Sequence, residues 1–340
     1  MSDRFLFYSK NHQDHFSPNH PERPERLETV RNALIELGLW ELCQQVEASN
    51  LPRAILEAVH SDNYLESLHK VCKEGGWLDY DTYTTPASWK LANQAVEGTV
   101  WTANSVWEKS GKGFVMVRPP GHHARRDQGM GFCLLNNIAC AAEYLIQTKK
   151  ASKLAIIDLD LHHGNGTQDI FWKRGDVFFV SVHQSNIFPL TGKLDETGAG
   201  EGKGTKVNLP LPPGSGDQAY QEIMDTIILP LLTRFRPEMI LVSYGFDTHW
   251  LDPLGSLNLS AEVYYEIISQ LVKWANHYCY GKIMLVLEGG YDLTAAKVCT
   301  QAVISALFEK EWSDPVGRSP FPETDTWKNI ILKAKTIWQI

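Results

Sequence analysis

Long apolar runs are missing from this 340-residue chain, and its mean hydropathy is −0.25. No stretch approaches the ~18 residues a membrane-spanning helix needs, so no membrane partner is expected. The opening MSDRFLFYSKNHQDHF lacks the apolar core of a secretion signal, which makes a cytoplasmic location the expectation. Cysteine is sparse. Cys43, Cys72, Cys133, Cys140, Cys279 and Cys299 form no CxxC pair, which excludes a cysteine zinc ribbon and argues against a disulfide frame. They read as reduced and mostly buried. A basic excess is also missing: 32 Lys and Arg stand against 40 Asp and Glu, a net charge of −8. That opposes a large nucleic-acid-binding face. Phosphate-binding GxGxxG and Walker loops, internal repeats and low-complexity linkers do not occur. One domain spanning 1–340 is expected.

What is present is a series of short, almost continuously apolar runs: GFVMV (113–117), LAIID (154–158), VFFVSV (177–182), MILVSY (239–244) and IMLVLE (283–288). Strands buried on both faces look like this. Amphipathic segments near 132–149, 217–235, 261–279 and 292–310 lie between or after them. The alternation predicts an α/β fold with a mostly parallel sheet and right-handed crossovers. Helices near 22–38 and 87–109 are expected to cover sheet edges and add rim loops.

In such a sheet, ligands bind beyond the carboxyl ends of the strands. Five of these ends carry RPPGHHARRDQGMGF, DLDLHHGNG, SVHQ, GFDTHWLDPLG and EGGYD. Asp158, Asp160 and His162 share the parity of one strand face. Asp160 and His162, joined by Asp247 from a neighbouring strand end, suit zinc with an open position for water, and would also suit ferrous iron. Two carboxylates weaken the metal's pull on a bound water, so a protein base is needed, and His122 and His123 offer one. Tyr291 could donate to an oxyanion, with Gly289 and Gly290 allowing the tight turn that places it. Taken singly, an Asp-x-Asp is most often a turn or cap, and a His pair is more often a satisfied surface or core feature. Their arrival at successive strand ends favours a site.

RPPGHHA, GFCLLNN, DLDLHHGNGTQDIF, SYGFDTHWLDPLG and LEGGYD, in that order, resemble the motif series of the zinc-dependent histone deacetylase family. That family includes acetylpolyamine amidohydrolases and bacterial deacetylase-like amidohydrolases, and the chain is most similar to its class II branch. The resemblance implies an arginase-like three-layer α/β fold. It implies Asp160, His162 and Asp247 as zinc ligands, His122 and His123 as the tandem histidines, with His123 as general base and acid, and Tyr291 as the catalytic tyrosine. It implies a structural potassium ion held by Asp158, the carbonyls of Asp160, His162 and Val182, and the hydroxyl of Ser181. Gly131, Phe132 and Phe188 match the walls of an acyl-lysine tunnel, Asp81 in DYDTY falls near a rim residue that grips substrate, and Gly289 lies beside them. Asn165 departs from the class I pattern, which has Asp. Leu254 stands where polyamine-specific relatives place a glutamate, although Asp195, Glu196 and Glu201 are acids that could reach the rim.

The function implied is removal of acetyl or other acyl groups from the lysine of peptides or proteins. An acetylpolyamine amidohydrolase is the alternative within the enzyme class, and a catalytically weak acyl-lysine scaffold is the alternative outside it. An arginase-type two-manganese site gives GGY and the His pair no role.

Overall fold

Neighbouring residues of the central strands serve two different cores. In LAIID, Ala155 and Ile157 join one cluster with Leu27, Ile268 and Val303, whereas Leu154 and Ile156 join another with Val59, Val96 and Leu145. Alternate side chains leave opposite faces of a strand, so a run without polar interruptions needs helices on both sides of its sheet.

The computed structural model describes residues 3–340. Along the chain lie β1 (Arg4–Tyr8), α1 (Pro24–Glu36), β2 (Gln44–Gln45), α2 (Arg53–Val59), α3 (Asp62–Glu74), the hairpin strands β3 (Gly76–Trp77) and β4 (Tyr83–Thr84), and α4 (Ser88–Lys109). Next come β5 (Lys112–Met116), α5 (Asn137–Gln147), β6 (Leu154–Asp158), α6 (Asn165–Ile170), β7 (Val177–Gln184) and β8 (Lys206–Leu211). Then α7 (Asp217–Ile223) runs through a π turn (Met224–Ile228) into α8 (Leu229–Phe235). β9 (Ile240–Tyr244), α9 (Ala261–Tyr278), β10 (Ile283–Leu287), α10 (Leu293–Leu307) and α11 (Lys328–Trp338) complete the α/β domain. Eight strands form one sheet in the order β2-β1-β5-β10-β9-β6-β7-β8, and all its neighbours run parallel.

All five strands predicted from apolar runs are present. The N-terminal part does more than cover edges: β1 sits inside the sheet between β2 and β5, with Phe5, Leu6 and Phe7 buried. The helix expected from 132 begins only at Asn137. Gly131 and Phe132 adopt left-handed φ of 55° and 69°, and Asn136 caps α5 by accepting from the Ala139 N–H at 3.0 Å. Among the described residues, no helix is long and apolar enough to cross a membrane, and the six cysteines are free and buried.

Candidate metal centre and adjoining tunnel

A parallel sheet delivers its carboxyl ends to one rim. There β6 runs into 159–163, β9 into 245–247, β10 into 288–291 and β5 into 117–123. Asp160, His162 and Asp247 meet so that one donor atom from each lies within 4.8 Å of the others. The His162 Nδ1 is 3.4 Å from Asp160 Oδ1 and 3.4 Å from Asp247 Oδ2. Backbone N–H groups fix the carboxylates: His162 donates to Asp160 Oδ1 at 2.9 Å, Gly289 to Asp160 Oδ2 at 2.8 Å, and Leu161 to Asp247 Oδ1 at 3.1 Å. The remaining oxygen, Asp247 Oδ2, is buried without a hydrogen-bond donor. Such an orphan is costly unless something charged meets it. A Cβ on Gly245 or Gly289 would run into both carboxylates, so these glycines keep the cradle open.

The electrostatics ask for a cation. Burial and the nearby Asp160 raise the Asp247 carboxyl to about 7. Burial opposes charge on His162, yet Asp160 and Asp247 overcome it and hold the ring up to about 9. An oxygen–nitrogen–oxygen donor set of this kind fits zinc or ferrous iron.

The two histidines that follow β5 are pushed in opposite directions. His122 Nδ1 lies 3.0 Å from Asp158 Oδ2, and its ring is 3.9 Å from that of His123. Burial disfavours its charge, but Asp158 and Asp160 outweigh that and raise it to about 10. His123 is held well below the usual range, by burial and then by His122 and His162. Its Nδ1 lies 2.7 Å from Asn165 Oδ1. An amide oxygen only accepts, so Nδ1 carries the hydrogen and Nε2 keeps a free lone pair. Pairs of groups driven apart in this way suit acid–base work.

Next to these groups lies a cavity of about 420 Å³ lined by His20, Pro21, Tyr80, Asp81, His123, Gly131, Phe132, His162, Ile187, Phe188, Leu254 and Tyr291. Asp81, Gly131, Phe132, Phe188 and Leu254 are thus brought together as the sequence suggested. Gly289 is placed instead against the donor triad. Asp195, Glu196 and Glu201 do not line the cavity, and Glu196 is held by Gln168 at 2.8 Å and the Gly192 N–H at 3.2 Å. Phe132 meets Tyr291 edge-on at 5.8 Å, and Phe188 meets His123 at 5.0 Å. Gly131 has no room for a side chain, since a Cβ would fall 2.5 Å from His123 Cδ2. Ser181 pairs with Asp158 in the β6–β7 register, which puts the hydroxyl-bearing residue beside the carboxylate. The Val182 carbonyl receives the Tyr220 hydroxyl at 3.4 Å.

Four supporting residues have no role in the sequence reading: Glu288 and Asp252 lie within LEGGYD and GFDTHWLDPLG, Arg26 and Glu22 outside every motif. Arg26 lies 4.8 Å over the Tyr291 ring and donates to the carbonyls of Glu288 and Gly290. Glu288 accepts from the Gly121 and His122 N–H groups at 2.7 and 3.1 Å. Asp252 accepts from the Tyr291 and Asp292 N–H groups at 2.6 and 3.0 Å, and so fixes the turn that carries the tyrosine. Glu22 pairs with both Arg26 and Arg118 in full burial. The only trace of Arg26 and Glu22 in the sequence is an i,i+4 charge pair, which on most helices is a solvated surface feature.

Residues 20–307 match the histone deacetylase domain. A probable deacetylase of Archaeoglobus fulgidus is 40% identical over 312 residues, covering 90% of this chain and 86% of that protein. The histone deacetylase-like amidohydrolase of Pseudomonas aeruginosa is 35% identical over 292 residues, covering 85% and 77%. The crystal structure of the HDA15 HD domain superposes with a TM-score of 0.90 at 30% identity, covering 99% of this chain and 95% of that one. With a matched domain over most of its length and relatives at this level of identity, the chain belongs to the histone deacetylase family, whose members are hydrolases acting on amide bonds.

Proposed function

We propose that the protein is a metal-dependent deacylase that removes acetyl or other acyl groups from the lysine side chains of peptides and proteins. The observation that carries this reading is the cavity of about 420 Å³, walled by Gly131, Phe132 and Phe188 and meeting His123, His162 and Tyr291. Its apolar walls suit the methylene stem of lysine, and its polar groups converge where an amide would arrive.

Asp160, Asp247 and His162, the last through Nδ1, would hold zinc, with ferrous iron a second metal of the same fit. Bound there, zinc supplies a Lewis acid for the amide carbonyl and lowers the pKa of water. His123 Nε2 takes the proton of the attacking water, since Asn165 occupies its Nδ1. His122, kept cationic by Asp158, lends positive charge beside the developing oxyanion. Tyr291 donates to that oxyanion, as Asp252 and Arg26 fix its backbone and ring. His123 or His122 then returns a proton to the departing lysine amine. Asp158, Asp160, His162, Ser181 and Val182 would hold a structural potassium ion, a role supported by the pairing of Asp158 with Ser181. We take 1–340 as one domain, because Ile331, Ala334 and Trp338 of α11 share a core cluster with strands of the sheet. Buried free cysteines fit a reducing, cytoplasmic setting.

Asp160→Ala and His162→Ala are expected to lose both zinc and activity while keeping the fold, because the triad stands at strand ends. Elemental analysis checks it, and full zinc occupancy in either variant would refute the ligand set. The acetylpolyamine reading draws on Asp81 in the cavity lining, whose carboxyl burial and then Asp79 raise, but the apolar Leu254 in the same lining gives an ammonium no partner. A higher kcat/KM for an acetyl-lysine peptide than for N8-acetylspermidine is expected, and the reverse order would establish the polyamine reading. Absence of turnover on both, with zinc fully loaded, would leave the scaffold reading.

A further inference from the structure

Beside the tunnel mouth lies a second hollow of about 270 Å³, which shares Ile187 and Phe188 with the tunnel cavity. Leu190, Leu194 and Pro210 extend its apolar wall, and Gln184, Ser185, Asn186 and Thr191 line its polar side. No Asp or Glu lines it, and Lys193 is its one Lys or Arg. Leu190 is 74% exposed and has φ of 63°. A leucine in the left-handed region pays in backbone strain, and this one gains little from packing in return. The loop beneath is tied down. Leu190 N–H donates to the Ile187 carbonyl at 2.8 Å, Thr191 Oγ1 meets His163 Nδ1 at 2.8 Å, and Gly192 N–H donates to Glu196 Oε2 at 3.2 Å. The hollow is therefore built into the surface, with Leu190 held outward.

When a lysine of a polypeptide enters the tunnel, its sequence neighbours lie across the mouth. In an extended chain they stand about 3.3 Å apart along the backbone and point to alternate sides, within reach of an adjoining hollow. Resting on the deacylase reading, we infer that this hollow is a specificity subsite for an apolar side chain, of leucine or phenylalanine size, directly next to the acyl-lysine. Lys193 repels a basic neighbour at the same place. A polyamine has no side chain to fill it.

The test uses acetyl-lysine peptides carrying Phe, Ala or Lys immediately before or after the acetyl-lysine, with zinc-loaded enzyme. At one of the two positions kcat/KM is expected to fall from Phe to Ala by about tenfold, the scale of a partly buried apolar side chain, and further to Lys. The difference should reside in KM. Leu190→Ser, which alters an exposed side chain, is expected to cut the Phe preference to under about threefold, again through KM. Equal turnover whatever the flanking residue, or a Phe preference that Leu190→Ser leaves intact, would overturn the subsite while the deacylase reading stands. Turnover of N8-acetylspermidine but of no peptide would overturn both.

Discussion

Asn165 bears on how basic His123 is. Its amide oxygen orients the imidazole at 2.7 Å but brings no charge to stabilise the protonated ring. Burial, and then His122 and His162, hold His123 well below the usual histidine range, and the Asn165 hydrogen bond does not offset them. A carboxylate at the same place would favour the imidazolium, so Asn165→Asp should raise the pKa of His123. Activity that needs neutral His123 is lost as pH falls through that pKa, so the acidic limb of the kcat/KM profile should move to higher pH in the variant. An unmoved limb would show that another group controls it. Tyr291 belongs to the same scale. Arg26 lies under its ring, and Asp252 holds its backbone N–H. Tyr291→Phe removes one oxyanion donor and should cost roughly 10²–10³ in kcat with zinc content unchanged.

The start of α5 braces the segment that carries the two histidines. Asn136 accepts from Ala139 N–H and donates through Nδ2 to the Ala124 carbonyl and Thr167 Oγ1, both at 3.1 Å. His60 completes the brace, with Nδ1 2.8 Å from the Arg125 carbonyl while Nε2 accepts the Asn136 N–H at 2.9 Å. Asn136→Ala removes the cap and two buried bonds and should cost about 1–3 kcal/mol, measurable by urea unfolding. Turnover should fall further than stability explains, because Ala124 directly follows His123. The delayed start of this helix has the same origin. Gly131 and Phe132 must stay left-handed to form the tunnel wall, so the 3.6-residue apolar pattern from 132 extends farther than the helix does.

Over the whole molecule, burial keeps several histidines neutral. His12, His60 and His249 are lowered to about 4 and His15 to about 3, each chiefly by burial. Their ordinary value is near 6.5, so between pH 6.5 and 4 the unfolded chain binds protons that the folded chain refuses. Stability from these groups is complete above pH 6.5 and is lost as pH falls toward 4. The melting temperature should therefore drop steeply across that interval. A flat profile would mean that these rings are protonated in the fold. The fully buried Glu22, Arg26 and Arg118 cluster works at this scale too, since it ties α1 to β5 and to the tyrosine turn.

The sequence by itself determined the α/β class, the five central strands and the convergence of Asp160, His162, Asp247, His122, His123 and Tyr291 on one rim. The reason is that these features are local. An apolar run of five residues needs two covered faces, and parallel strands put their ends together whatever their order. Only the tertiary structure decided that RFLFY of β1 enters the sheet, because behind the charged Arg4 only four apolar and aromatic residues remain, too short a run to distinguish an inner strand from a cover. It alone decided that Glu22 and Arg26 are buried, with Arg26 against the Tyr291 ring, since an i,i+4 charge pair looks the same on a solvated face. It also turned Glu196 inward to Gln168 and left Leu190 outward beside the tunnel mouth, because a loop's side chains point where the loop's own hydrogen bonds place them, and no periodicity records that.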